Sequence, residues 1–210
     1  MQILYILIVI GMSVVAGWRL LSRRASLPCP SWLAWIVELG NPFAKQYNAE
    51  TIVRQLGLRP GMRVLDAGCG PGRVTIPAAK ALGSSGSVTA IDIQSRMLDR
   101  ARAKAAAADL KNIRFENVPI ESGLLEAEQF DRALLVTVLG EIPDRDGALR
   151  AIHRFLKPEG VLSITEILAD PHYQGRKTIL RLADAGGFRE KAYFGNRFSF
   201  TVHLEKTTHS

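Results

Sequence analysis

Beyond residue 60 the chain alternates between two rhythms. Short apolar runs at 62–66, 88–93, 113–117, 131–138 and 161–166 have the pattern of strands buried on both faces of a parallel sheet. Between them, segments such as 97–108 and 147–156 carry apolar residues at helical spacing. Strands and helices in this order predict an α/β domain with helices on both faces of the sheet. The end of the chain departs from the alternation: a helical segment over 177–185 and Gly186-Gly187 precede two strand-like runs, 188–193 and 198–204. A short turn at Gly195-Asn196 predicts that these runs pair as an antiparallel hairpin.

The N-terminus has a third pattern. Residues 3–18 carry no charge, and Arg19 and Leu20-Leu21 precede Ser22-Arg23-Arg24. If Arg19 snorkels, this leaves about 19 mostly apolar residues, enough to span a bilayer. A cleaved signal would place positive charge before its apolar core, whereas only Met1-Gln2 precede this one. The expectation is a transmembrane anchor over 1–26, with the rest of the chain at the cytoplasmic membrane, facing the cytoplasm. Leu27-Pro28-Cys29-Pro30 then breaks any helix, and Trp32, Leu33, Trp35, Ile36 and Leu39 could share one face of a further helix within 27–43. That face suits either the lipid interface or packing as a lid on the domain. With 210 residues and 47% hydrophobic content, the remainder, 44–210, is long enough for one well-cored domain and no second.

The chemistry concentrates in Val64-Leu65-Asp66-Ala67-Gly68-Cys69-Gly70-Pro71-Gly72-Arg73-Val74. A buried strand leads into closely spaced glycines ahead of a helix, so bare main chain can approach a ligand. The spacing is G-x-G-x-G rather than the dinucleotide G-x-G-x-x-G, and the third dinucleotide glycine would fall at Arg73, whose bulk opposes close helix–strand packing. Asp66, ahead of the loop, suits a cationic ligand group better than a phosphate. Asp92 ends the next apolar run, 20 residues past Gly72, where adjacent parallel strands would bring its carboxylate beside the loop to accept two ribose hydroxyls. Local alternatives are a turn brace for Asp66 and a helix cap for Asp92.

These residues resemble the class I S-adenosylmethionine-dependent methyltransferases, in the style of the small quinone and lipid methyltransferase group. The glycine stretch looks like the family's first motif and Ala90-Ile91-Asp92-Ile93 like its second strand. Phe130-Asp131-Arg132-Ala133-Leu134-Leu135-Val136 looks like its fourth strand, and Leu156-Lys157-Pro158-Glu159-Gly160-Val161-Leu162 like the turn into its fifth. The resemblance implies a Rossmann-like, doubly wound seven-stranded sheet whose antiparallel last strand lies between the fifth and sixth. It implies S-adenosylmethionine as cofactor, held by Asp66, Gly68, Cys69, Gly70, Gly72, Asp92, Ile93, Val118, Ile120 and Thr137. One departure stands out: many relatives carry an adenine-binding acid near the end of the third strand, where this chain has Pro119. Val118 and Ile120 would then hold the base by apolar contact.

Past the fourth strand Thr137, Gly140 and Glu141 would floor the site, with Glu141 a candidate to orient an amine or phenol acceptor. His172, in the loop after the fifth strand with Glu166, Asp170 and Tyr173, is the histidine placed to act as a general base, the alternative being an ordinary surface-loop histidine with no catalytic role. The net charge of +7 comes from scattered Lys and Arg, so it indicates a basic surface or anionic lipid rather than nucleic acid. The fourth strand leads to Gly140-Glu141-Ile142-Pro143 and not to the tetrapeptide of amino-nucleobase methyltransferases. Two cysteines make no disulfide framework or metal site, and Cys69 suits packing beneath a cofactor. The expected partners are the lipid bilayer and a small or lipid-like methyl acceptor, such as a phospholipid amine or quinone precursor. A diffusible thiol or metalloid acceptor, and a non-catalytic cofactor-binding role, are the alternatives; oligomeric state is open.

Overall fold

The computed structural model describes Tyr5, residues 45–122 and residues 125–207. Seven strands, β1 (Arg63–Ala67), β2 (Ser87–Ile91), β3 (Ile113–Glu116), β4 (Phe130–Val136), β5 (Leu156–Ile167), β6 (Phe188–Asn196) and β7 (Ser199–Lys206), form one sheet in the order β3-β2-β1-β4-β5-β7-β6. The first five are parallel, and β7 runs antiparallel to both β5 and β6. Among the described residues five α-helices accompany them: α1 (Ala49–Leu56), α2 (Thr75–Leu82), α3 (Ser95–Ala107), α4 (Arg145–Phe155) and α5 (Arg176–Ala185).

Neighbouring strand residues divide between two cores, which is why the central strands read as unbroken apolar runs. Val64, Val88 and Leu134 pack with Ile52 and Leu56 of α1, Ala78 and Leu82 of α2 and Leu98 of α3. Leu65, Ile91 and Leu135 face the other way, against Leu149, Ile152 and Phe155 of α4 and Ile179 and Leu182 of α5. Side chains that accept backbone N–H groups fix where helices begin: Asn48 caps α1 through Thr51 N (3.0 Å) and Asp144 caps α4 through Gly147 N (2.8 Å).

Two boundaries differ from the sequence pattern. The hairpin turn lies at Arg197-Phe198 rather than Gly195-Asn196, because the Asn196 side chain accepts from Phe198 N (2.9 Å) and starts the turn itself. Phe198 therefore leaves the strand and is exposed. Strand β5 begins earlier than expected, since Leu156 pairs with Phe130 before a register jump to Val161 opposite Arg132. The predicted anchor (1–26) and interfacial helix (27–43) lie outside the described residues, apart from Tyr5. Among the described residues no helix is long and apolar enough to cross a membrane.

Candidate functional site

The sheet's connections change direction between β1 and β4, and ligands of open α/β sheets bind at the carboxyl ends of strands around such a point. Here β1, β2 and β4 end in Ala67, Ile91 and Val136, each followed by a residue singled out by the sequence. Asp66 pairs with Ala90 on one side and Leu134 on the other and is buried. The Thr75 hydroxyl donates to its Oδ2 at 2.6 Å. Burial raises the Asp66 carboxyl to about 6 against the opposing effects of Thr75 and Arg73.

The glycine loop hangs on the next strand. Gly68 N and Cys69 N both donate to Ile91 O, at 2.8 and 3.0 Å, and Gly70 N donates to Asp92 Oδ2 at 2.9 Å. Asp92 Oδ1 accepts from Gln94 N at 2.8 Å, so this carboxylate braces loop and strand end together. Gln94 is the residue at the cap of α3, and its side chain makes no capping bond. Each Asp92 oxygen retains a second acceptor position. Burial raises Asp92 too, countered by the two backbone donors.

These elements enclose a cavity of about 410 Å³, within the ~300–1,000 Å³ of small-molecule sites. Asp66, Gly68, Cys69, Gly70, Asp92, Ile93, Val118, Ile120, Thr137 and Glu141 all line it. Gly72 does not: it abuts α3, where a Cβ would lie 3.0 Å from that of Ala101. The close-packing role of a third glycine is thus filled by Gly72, and Arg73 is free to turn inward. Its guanidinium stacks 3.7 Å from the centroid of the Tyr47 ring and donates to the Tyr47 carbonyl. Cys69 is a neutral wall residue, because burial, with Asp66 and Asp92 nearby, pushes its thiol far up.

Tyr47, Arg73, Gln94, Met97 and Glu121 also line the cavity and were not assigned from sequence. Glu121 sits in a 3-10 turn, Ile120–Ser122, two positions past Pro119, so an acid does reach this wall where none was expected. The signal was its spacing from β3.

Opposite the glycine loop, Thr137 is held at φ +56°, unusual for a β-branched residue and common at functional positions. Its N–H donates to Thr165 O (2.9 Å). The chain then forms a 3-10 turn, Leu139–Glu141, fixed by Arg145, which donates to Leu139 O (3.1 Å) and Gly140 O (3.0 Å). The His172 backbone lies against Gly140, leaving no room for a side chain there. His172 is buried rather than on a surface loop and does not line the cavity. Its Nδ1 lies 3.8 Å from Glu141 Oε1 and 3.9 Å from Asp170 Oδ1, and both acids line the cavity. Behind them Glu166 is buried, and desolvation keeps its carboxyl well above the usual range. His203 is remote, and burial, then Arg132 and Lys191, hold it down to about 4.

The donor set fits the cofactor that the sequence implies: two acids for hydroxyls and a cationic end, and Ile93, Met97, Val118 and Ile120 for a flat base. Comparison with known proteins points the same way. Residues 58–182 match a family described as a methyltransferase domain. Demethylmenaquinone methyltransferase of Staphylococcus aureus (strain MRSA252) is 34% identical over 115 residues, covering 55% of this chain and 47% of that protein. The chain spans about half the length of the curated relatives it matches. A SAM-dependent methyltransferase from Aquifex aeolicus superposes with a TM-score of 0.76 at 20% identity, over 85% of this chain and 99% of that one. Magnesium protoporphyrin IX methyltransferase from Synechocystis PCC 6803 with bound SAM gives 0.67 at 19%, over 84% and 91%.

Proposed function

The chain belongs to the methyltransferase domain family, and we propose that it transfers a methyl group from S-adenosylmethionine to an amphiphilic acceptor at a membrane surface, a quinone precursor or a phospholipid amine. The observation that carries the cofactor half is the pair Asp66 and Asp92 bracketing a bare glycine loop at the carboxyl ends of β1 and β2. The acceptor half is supported by the uncharged run 3–18 with its following arginines and by the name of the S. aureus relatives.

When bound, the cofactor supplies a methyl group already activated on a sulfonium, so little acid–base machinery is required. The chain's work is to bind and orient. Asp92 would accept hydrogen bonds from the ribose hydroxyls, Asp66 would set a negative potential at the cationic end, and Val118 and Ile120 would hold the base. Glu141 faces the cavity and can accept a proton or hydrogen bond from an acceptor hydroxyl or amine, with His172 at its back as a positioning residue. The arrangement of Thr137 and the Leu139–Glu141 turn sets where that acceptor lies.

The test is transfer of radiolabelled methyl from S-adenosylmethionine to a membrane extract, partitioned between chloroform and water. Label is expected in the organic phase. Label confined to water or to a volatile product would favour a small diffusible acceptor, and absence of label would favour a non-catalytic binding role.

Asp66 makes the reading pH-dependent in a defined direction. Its folded-state value of about 6 exceeds the ordinary 3.8, so the folded chain binds this proton more tightly than the unfolded chain. The stabilisation is complete below 3.8 and about 3 kcal/mol is lost as pH rises to 6. A cationic ligand favours the ionised form, so cofactor affinity is expected to rise as pH increases through 6. Titration calorimetry should show that rise in the wild type and a flattened profile in Asp66→Asn; a flat wild-type profile would refute this role.

A further inference from the structure

Among the described residues of the folded domain, four large apolar side chains are exposed: Ile93 (58%), Phe198 (53%), Leu168 (39%) and Tyr193 (37%). Scattered singly they would need no explanation, and Ile93 belongs to the cavity wall, but Leu168 and Phe198 adjoin at that same end of the sheet. Ile93 follows the carboxyl end of β2, Leu168 follows that of β5, and Phe198 is the tip of the β6–β7 hairpin beside it. Leu168 N donates to Phe198 O at 2.7 Å, which ties the two loops into one surface. This is the end at which the cavity opens.

The same end carries cations. The Arg197 guanidinium lies 4.7 Å over the Phe198 ring and that of Arg176 4.9 Å over Tyr193. Lys45 and Lys177 are exposed. Arg176 is shared with Glu190, and the exposed acids Glu121, Asp144 and Asp146 also lie at this end, at the cavity wall and the start of α4, so the basic side chains gather on the hairpin side of it.

The course of the chain supplies the third observation. Lys45–Tyr47 packs against β5, β6 and β7, with Gln46 beside Gly195 and Tyr47 in the cavity wall. The chain therefore enters the described domain at this end, and the uncharged run 3–18 and Arg19, Arg23 and Arg24 lie upstream of that point in the sequence.

We propose that the carboxyl end of the sheet, led by Phe198 and Leu168 with Arg197, Lys45 and Lys177 around them, is a docking face that rests on an anionic lipid surface. It rests on the membrane reading above and adds to it which face meets the bilayer. Apolar side chains enter the interface and basic ones meet anionic headgroups. An acceptor then reaches the cavity from the lipid without crossing water.

The test uses the full chain with Cys29→Ser, so that an introduced cysteine is the reactive one; Cys69 is buried. Phe198→Cys, Leu168→Cys and, as control at the opposite end, Lys111→Cys are labelled with nitrobenzoxadiazole and reconstituted with phosphatidylglycerol–phosphatidylcholine vesicles. Lys111 is exposed ahead of the amino end of β3. The chain is expected to float with the vesicles, and acyl-chain doxyl lipids should quench positions 198 and 168 several-fold more than 111. Flotation with equal quenching at all three positions would overturn the docking face and leave the membrane reading intact. A chain that does not float overturns both. Equal differential quenching on purely neutral vesicles would overturn the role given to Arg197, Lys45 and Lys177.

Discussion

Asp92→Ala is expected to raise the dissociation constant for S-adenosylmethionine by roughly 10- to 100-fold, the equivalent of about 1.5–3 kcal/mol for hydrogen bonds to a charged group. The loss has two parts. The carboxylate no longer accepts ligand hydroxyls, and Gly70 N and Gln94 N lose their partners at 2.9 and 2.8 Å, which loosens the loop the ligand lies against. Asp92→Asn separates the parts, since its amide oxygen can still take one backbone donor while its NH₂ cannot accept from a hydroxyl. Its affinity should fall between wild type and alanine. Calorimetric titration, with thermal melts to establish that both variants fold, checks the order; alanine binding as tightly as wild type would remove Asp92 from the cofactor site.

That Asp92 was legible in the sequence follows from strand geometry. An acid closing an apolar run, one βα unit after a glycine loop, has one place to go in a parallel sheet, and Asp66 is fixed by the same logic. Tyr47 was not legible, because nothing local links it to a loop more than twenty residues away; the link is the Arg73 stack. Arg73 itself was read as a steric obstacle, since the pattern does not reveal that Gly72 takes the contact with Ala101. His172 does lie in the loop after β5, but its polar neighbours Asp170 and Gln174 suggested a surface position. Its burial arises from backbone contact with Gly140, thirty-odd residues earlier, and no periodicity encodes that. The hairpin turn slipped by two residues for a local reason: Asn196 reaches forward to Phe198 and Ser199, so it opens the turn it was expected to centre.

Gly68→Ala is expected to destabilise the fold by about 2–4 kcal/mol, combining overpacking with left-handed backbone strain. It should also weaken cofactor binding at least tenfold. A Cβ at Gly68 would stand 2.6 Å from Val138 Cγ1 and 2.7 Å from Cγ2, at φ +76°. Rotating Val138 offers only partial relief, since any other χ1 rotamer still leaves one methyl facing the new Cβ and Val138 Cβ itself is 3.2 Å away. The backbone must give, and what moves is the segment from Thr137 to Glu141 that floors the site. Val138→Ala removes both clashing methyls, so the double variant should regain the packing part of the loss and keep about 1–2 kcal/mol of conformational strain. Gly175→Ala is the control, because a Cβ there meets nothing within 4 Å and its φ is negative. Chemical denaturation of the wild type, Gly68→Ala, Val138→Ala and the double variant reads the coupling directly. If Gly68→Ala loses the same stability with and without Val138, the glycine loop does not pack against the end of β4, and the cavity floor must be held by something else.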